Sequence, residues 1–453
     1  MLPAGERERK ALGDSMKNLL GLLAFCFALV TTDGLVATPV GAQQPEILEF
    51  VGPTMGTRYS IKVFDPPEFE DDIRFEVDAL LRRINDQMST YLKNSEITRF
   101  NASESTDWVE VSPELAVVVQ TAQDVAEKSG GAFDITVGPL VNAWSFGPDP
   151  RTRTVPAEET LKELLADVGY KKLEVRTDPP ALKKSLATLK IDLSGIAKGY
   201  AVDQVVQLLN DAGAENVFVE IGGEVRTSGD KDGTWWKVGI QMPDTTDGME
   251  LVAAHSMNVG AGDDQSMATS GDYRNYFEVD GTRYSHTIDP RTGRPIEHRL
   301  ASVSVVTESC MVADAWATAL NVLGPDALAT AEQQSLDVLL ISREPQQESG
   351  FLLQGTGPLA RYGSDQSLVD ANAEPENAGS GRMAVFLITT VAFAALLFLM
   401  AVGVMFGRRS ISGSCGGLNN SPNEDGTVSC SLCSNPSDAC KELRDKMQKE
   451  AAS

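Results

Sequence analysis

The sequence predicts an α+β fold: one large domain, followed by a membrane-spanning helix and a short Cys-rich tail. Three observations predict it. Helix and strand patterns are mixed over residues 47–362 without regular β-α-β alternation, which argues against a doubly wound parallel sheet. Residues 363–382 then turn to Ser, Asn, Asp, Glu, Gly and Ala, with little to bury, and read as a linker. Residues 383–406 form an uninterrupted uncharged apolar run long enough to cross a bilayer as a helix.

The elements follow in order. Residues 1–42 read as an N-terminal extension and signal peptide: Met16-Lys17-Asn18 is a short basic start, Leu19–Val30 an apolar core, and Val40-Gly41-Ala42 a small-residue cleavage site. The start could be Met1 or Met16, and the segment could be cleaved or kept as an anchor. Glu46–Val51 and Arg58–Val63 are short strands around Gly52-Pro53-Thr54-Met55-Gly56. Ile73–Met88 is a helix. Ser112-Pro113 opens another, with Ser as N-cap and Pro in the first turn. Its apolar face is Leu115, Val118, Val119, Ala122, Val125 and Ala126, and Gly130-Gly131 ends it. Glu158–Val168 is a third amphipathic helix, closed by Gly169. Strand signals recur at Lys190–Leu193, Val217–Ile221, Trp235–Ile240, Ala301–Thr307 and Val338–Ile341.

Charge and cysteines narrow the function. The 453 residues carry a formal charge of -25 and no Lys/Arg-rich run, which disfavours a nucleic-acid partner. The six cysteines are Cys26, Cys310, Cys415, Cys430, Cys433 and Cys440, so the central domain holds one and has no internal disulfide.

Three stretches carry candidate chemistry. Met267–Pro295 holds a hairpin: Tyr273–Val279 alternates as a strand, Asp280-Gly281 is the turn pair, and Arg283–Ile288 returns. Asp289–Gly293 is a tight loop. Ser270, Asp272, Arg274, His286, Asp289 and Arg291 crowd polar groups around it, which suits a site or a solvated tip. Ile191–Asp203 reads as strand, Gly-containing turn and helix. A helix N-terminus with Lys198 beside it suits phosphate; Gly195 and Gly199 could equally serve close packing. The stretch matches neither the Rossmann nor the P-loop pattern. Cys310–Leu320 is an Ala-rich buried helix with Asp314 and Thr318 on one face. A carboxylate there needs a hydrogen-bond partner or a hard cation such as Mg²⁺.

Taken together, these stretches resemble the ApbE family of FAD:protein FMN transferases. The matching motifs run in order: Thr54–Thr57; Met88–Tyr91 with Asn94–Ile97; Gly131–Leu140; I-D-L-S-G-I-A-K-G-Y-A-V-D from Ile191; Ile221–Glu224; T-S-G-D-Y-R-N-Y from Thr269; S-H-T-I-D-P-R-T-G-R-P from Ser285; and D-A-W-A-T-A-L from Asp314. Glu224 departs from the family's frequent Asp, and His255–Met267 does not align. The resemblance implies a transferase domain over 47–362 that splits FAD, moves FMN to a Thr hydroxyl of an acceptor protein and releases AMP. It implies Mg²⁺ held by Asp314, Thr318 and the Gly195 carbonyl. It implies a flavin nucleotide lined by Met55, Tyr91, Ala132, Phe133, Asp134, Asp192, Lys198 and Ile288. His286 and Asp314 become the catalytic candidates, His286 as base. His255 and His298 read as ordinary surface or structural histidines. An FAD pyrophosphatase and a flavin-binding protein without transfer activity are the alternatives.

The tail, residues 407–453, shows a second resemblance. Met400–Asn420 with Cys415, Cys430, Cys433 and Cys440 is similar to the NqrM-type protein, which has one membrane helix and four cysteines and matures the Na⁺-translocating NADH:quinone reductase. The cysteine spacing suits Fe or Zn, with two disulfides as the alternative. The acceptors implied are flavoprotein subunits of that reductase or a related complex. The signal peptide places the transferase domain in the periplasm. A single span with Arg408 and Arg409 just beyond it returns the tail to the cytoplasm, across the bacterial inner membrane.

Overall fold

The computed structural model describes residues 46–363 apart from 70–71, 151, 245–249, 258–263, 274 and 346–349. The expected signal peptide, spanning helix and Cys-rich tail therefore lie outside the described residues. Among the described residues no helix is long and apolar enough to cross a membrane.

An eight-stranded antiparallel sheet organises the domain. Counting its own strands in chain order, these are β1 (Ile47–Thr54), β2 (Thr57–Phe64), β3 (Asn216–Ile221), β4 (Glu224–Ser228), β5 (Gln265–Gly271), β6 (Leu300–Thr307), β7 (Asp337–Arg343) and β8 (Phe351–Gly355). Each pairs with the next, so the sheet is a meander whose helices are all insertions between neighbours. The helices are α1 (Ile73–Met88), α2 (Glu96–Ala102), α3 (Pro113–Lys128), α4 (Gly138–Ala143), α5 (Glu158–Asp167), α6 (Ala197–Asp211), α7 (Cys310–Leu323) and α8 (Ala327–Gln333).

The pleat sorts the strand residues onto two faces. Val303 and Val305 of β6, with Val338 and Leu340 of β7, enter the large core with α1, α3, α6 and α7. Val306, Leu339 and Ile341 face a smaller core under the hairpin Lys237–Gln241/Leu251–Ser256. A third apolar cluster gathers Leu140, Trp144, Phe146, Phe277 and Ile288 around the hairpin Tyr276–Val279/Thr282–Ser285.

Local signals set most of the boundaries. Ser112 caps α3, accepting from the Leu115 N–H, and Pro113 fills its first turn. Ser309 caps α7 through the Val312 N–H. Asp280 and Gly281 both take left-handed backbone, as a two-residue hairpin turn requires. The strand expected at Lys190–Leu193 does not form. Its main-chain groups bond elsewhere: the Asn101 side-chain amide brackets Ile191, donating to its O and accepting from its N–H, both at 2.8 Å. The Asp192 N–H donates to the Ile135 carbonyl at 2.7 Å. A side chain and a loop thus satisfy what a neighbouring strand would have.

Helices α6 and α7 meet at their N-terminal ends. A Cβ on Gly199 would lie 2.2 Å from the Cys310 carbonyl oxygen, so only glycine permits this approach. Asp203 of α6 accepts from the Cys310 N–H at 2.9 Å, the Met311 N–H at 3.0 Å and the Ser309 hydroxyl at 2.7 Å. Arg226 of β4 pairs with the same carboxylate at 2.6 Å. Asp203→Ala removes the acceptor for two helix N–H groups and leaves Arg226 short of a counter-charge. We expect a stability loss of about 3 kcal/mol in urea unfolding, since stripping one partner from a largely buried ion pair strands the other.

Candidate active site

Lys198, in the first turn of α6, is the hub. Its Nζ lies 2.7 Å from Glu224 Oε1 and 3.7 Å from Asp314 Oδ1. Asp314 is only 2% exposed. Its Oδ2 accepts from the Gly199 N–H at 3.0 Å, one of the unpaired donors at the start of α6. Burial pushes the Asp314 carboxyl up, against the pull of Lys198 and the Gly199 N–H. Glu224 is pushed up to about 7 by burial, opposed by Lys198 and reinforced by Asp314. Burial works against the Lys198 charge, yet the Asp314 and Glu224 carboxylates hold it well above the ordinary lysine value. The cluster therefore carries two acids and one base.

One helical turn after Asp314, Thr318 Oγ1 lies 3.2 Å from Ser270 Oγ of β5. The Gly195 main chain is beside it: a Cβ there would sit 3.1 Å from Thr318 Oγ1 and 3.3 Å from the Phe133 ring. Thr318 and the Gly195 main chain thus lie side by side, one helical turn from Asp314, and each residue carries a hard oxygen. Among the described residues no group of three His, Cys, Asp or Glu side chains could hold an ion alone. Glu224 Oε2, in the same cluster, is buried with no hydrogen-bond partner. A carboxylate, a hydroxyl and main chain fit Mg²⁺, which completes its shell with water and phosphate oxygens.

The other expected residues divide. Met55 sits in the β1–β2 turn with left-handed backbone (φ 47°), costing on the order of 1 kcal/mol. Thr57, beside it, lies against the Gly222–Gly223 turn that precedes Glu224. Asp192 accepts from the Ser194 N–H at 2.8 Å and lies 3.5 Å from the Thr90 hydroxyl, next to Tyr91. The exposed Tyr91 donates to the Phe146 carbonyl at 3.3 Å. Ala132 and Phe133 are buried. Asp134 is turned inward: its carboxylate takes the Thr136 N–H, the Thr136 hydroxyl and the Tyr170 N–H at 2.8, 2.7 and 2.6 Å. Those bonds fix the loop that presents Phe133. Ile288 is buried in the third apolar cluster and bridges to Pro295.

His286 lies outside this cluster's hydrogen bonds, yet the Lys198 charge acts on it, favouring the neutral ring. Its ring packs edge-on to Phe146, centroids 6.2 Å apart. Nδ1 lies 3.0 Å from the Asn275 carbonyl, which fixes it as the N–H side and leaves Nε2 as the acceptor. The strap bearing Asn275 is pinned by Arg343, whose Nη1 and Nη2 donate to Asp272 at 2.8 and 2.7 Å. Asp289 and Arg291 pair with each other at 2.8 Å in their own loop. Arg274 is outside the described residues. His255 is structural, buried beside Arg361 at 3.2 Å.

Sequence reasoning missed three partners. Glu224 was visible as an acid after a Gly-Gly turn, and Asp203 as an acid ending the Lys198 motif. Arg343 gave no signal, lying 71 residues from Asp272.

Residues 55–340 match the family model described as ApbE family. The chain belongs to the ApbE family. Residues 404–453 match a second model, (Na+)-NQR maturation NqrM. The curated FAD:protein FMN transferase of Vibrio cholerae is 44% identical over 308 residues, spanning 66% of this chain and 89% of that one. The Escherichia coli K12 protein of the same name is 40% identical over 316 residues, 68% and 87% of the two chains. Among solved structures, the flavin transferase ApbE from Vibrio cholerae aligns with a TM-score of 0.62 at 42% identity, over 70% of this chain and 98% of its own. The apo Pseudomonas stutzeri flavinyl transferase ApbE gives 0.63 at 36%, over 71% and 98%.

Burial, reinforced by Lys198, lowers the His286 pKa below its ordinary 6.5 despite the Asn275 carbonyl and Asp272. A base is active when unprotonated, so we expect the acid limb of the rate profile below pH 6.5. His286→Ala should remove that limb and slow turnover about 10²- to 10⁴-fold. An unchanged limb in the variant would assign it to another group.

Proposed function

We propose that this ApbE-family chain transfers FMN from FAD to a threonine hydroxyl of an acceptor protein in a Mg²⁺-dependent reaction, releasing AMP. The observation that carries the reading is the convergence of Lys198, Asp314, Thr318 and Gly195 where α6 and α7 cross. Relatives that bear the same activity in their names support it. Bound Mg²⁺ would neutralise charge on the pyrophosphate. Asp314, Thr318 and the Gly195 main chain would hold it.

The chain's own groups supply the rest. Lys198 faces phosphate from the α6 N-terminus, where helix dipole and ammonium act together. Met55, Tyr91, Phe133 and Asp192 line the nucleotide, with Ala132 and Asp134 shaping the loop and Ile288 closing the apolar side. His286 Nε2 accepts the threonine proton while the threonine oxygen bonds to the FMN phosphorus. The P–O bond to the AMP phosphate breaks, and AMP departs with the bridging oxygen. Exclusion of water in favour of threonine separates this reaction from FAD hydrolysis.

The NqrM-like tail points to flavoprotein subunits of the Na⁺-translocating NADH:quinone reductase, or a related complex, as acceptors. We place the transferase domain in the periplasm and the tail in the cytoplasm, joined by a helix over 383–406. Cys415, Cys430, Cys433 and Cys440 would then face a reducing compartment and hold Fe or Zn as thiolates.

Incubation with FAD, Mg²⁺ and a Thr-bearing acceptor fragment tests the transfer. We expect in-gel flavin fluorescence on the acceptor, lost in Asp314→Ala. Free FMN with AMP would indicate hydrolysis instead, and intact FAD would indicate binding alone. Topology has its own check: a membrane-impermeant maleimide should label the four tail cysteines only after permeabilisation. Labelling in intact cells would put the tail outside.

A further inference from the structure

We infer that Glu224 is a positioning residue: it draws the Lys198 ammonium off Asp314 and so leaves that carboxylate open to a divalent cation. The inference rests on the proposed reading of Asp314 and Thr318 as cation ligands.

The geometry is unequal in a telling way. Lys198 Nζ is 2.7 Å from Glu224 Oε1 but 3.7 Å from Asp314 Oδ1. The first is a charge-assisted hydrogen bond; the second is a looser ion pair. Asp314 Oδ2 is already committed to the Gly199 N–H at 3.0 Å. Oδ1 is therefore the oxygen for which an ammonium and a metal ion compete. Both cannot occupy the same lone pairs at close range, and their charges repel.

Glu224 is built to win the ammonium. It is 4% exposed, and its main chain is fixed as the first residue of β4, opposite Ile221. The Gly222 backbone packs over the carboxylate: a Cβ there would lie 3.5 Å from Glu224 Oε2 and 2.9 Å from the Thr57 methyl. Its Oε2 has no hydrogen-bond partner, so Lys198 is what offsets its buried charge. If the Glu224 charge is removed, Asp314 is the remaining carboxylate within reach of Lys198. The ammonium then settles on Oδ1 and blocks the cation.

Calorimetric titration of Mg²⁺ into the detergent-solubilised full chain, without FAD, reads this directly. Glu224→Gln keeps the shape and removes the charge; its Mg²⁺ affinity should fall about tenfold, the worth of one charge-assisted contact. Lys198→Met, which deletes a positive group beside the ligands, should bind Mg²⁺ more tightly than the wild type. Glu224→Gln combined with Lys198→Met should recover at least wild-type affinity, with melting temperatures confirming that each variant is folded. Unchanged affinity in Glu224→Gln overturns the inference. So does weak binding that persists in the double variant, which would make Glu224 a ligand in its own right. Absence of Mg²⁺ uptake by the wild type would instead sink the ligand assignment beneath it.

Discussion

Two carboxylates exchanged between two helix starts hold this site together. Asp203 of α6 accepts the first N–H groups of α7, and Asp314 of α7 accepts the Gly199 N–H in the first turn of α6. Each acid meets the positive end of the other helix's dipole, so each is stabilised where it is buried. The exchange needs the backbones to touch, and Gly199 against the Cys310 carbonyl is where they do. Gly195 and Thr318 follow from the same crossing, since both sit within a turn or so of these contacts. Arg226 ties the pair to β4, which also carries Glu224. A helix pair and a strand thereby set every charge in the cluster.

That arrangement explains why a strongly acidic chain can offer a site for a phosphate-bearing substrate. The local charge matters more than the total of -25. Two acids share one ammonium, which leaves a net negative cradle suited to a divalent cation. A divalent cation held there would, with Lys198, outweigh the two acids and offer positive charge to a pyrophosphate. Burial sharpens the effect, because the same burial that pushes Glu224 to about 7 strengthens each attraction.

Much of this was legible in the chain, and the exceptions share a cause. The cap at Ser112 and the Asp280-Gly281 turn are local chemistry, and local chemistry is written in adjacent residues. The α6 helix after Gly195 and the Asp314/Thr318 face were legible for the same reason. The strand wrongly expected at Lys190–Leu193 had the right apolar pattern but the wrong partner, and a partner such as Asn101, 90 residues away, leaves no local trace. Asp134 stood out within a motif, yet its motif neighbours do not reveal that the distant Tyr170 N–H also bonds to it. Arg343 on Asp272 is the same kind of long-range fact.

The two halves of the site are built to different stiffness. Lys198, Asp314 and Thr318 stand on 14- and 15-residue helices whose inner faces are buried. His286 instead follows a hairpin of four-residue strands, held by the Arg343–Asp272 pair and by packing against Phe146. The nucleotide is the same in every turnover, so its charges profit from rigid placement. An acceptor protein must approach from outside, and the short strands carry the exposed Tyr276 at the surface. The Arg343 pair anchors Asp272, three residues before the Asn275 carbonyl that fixes the tautomer of His286.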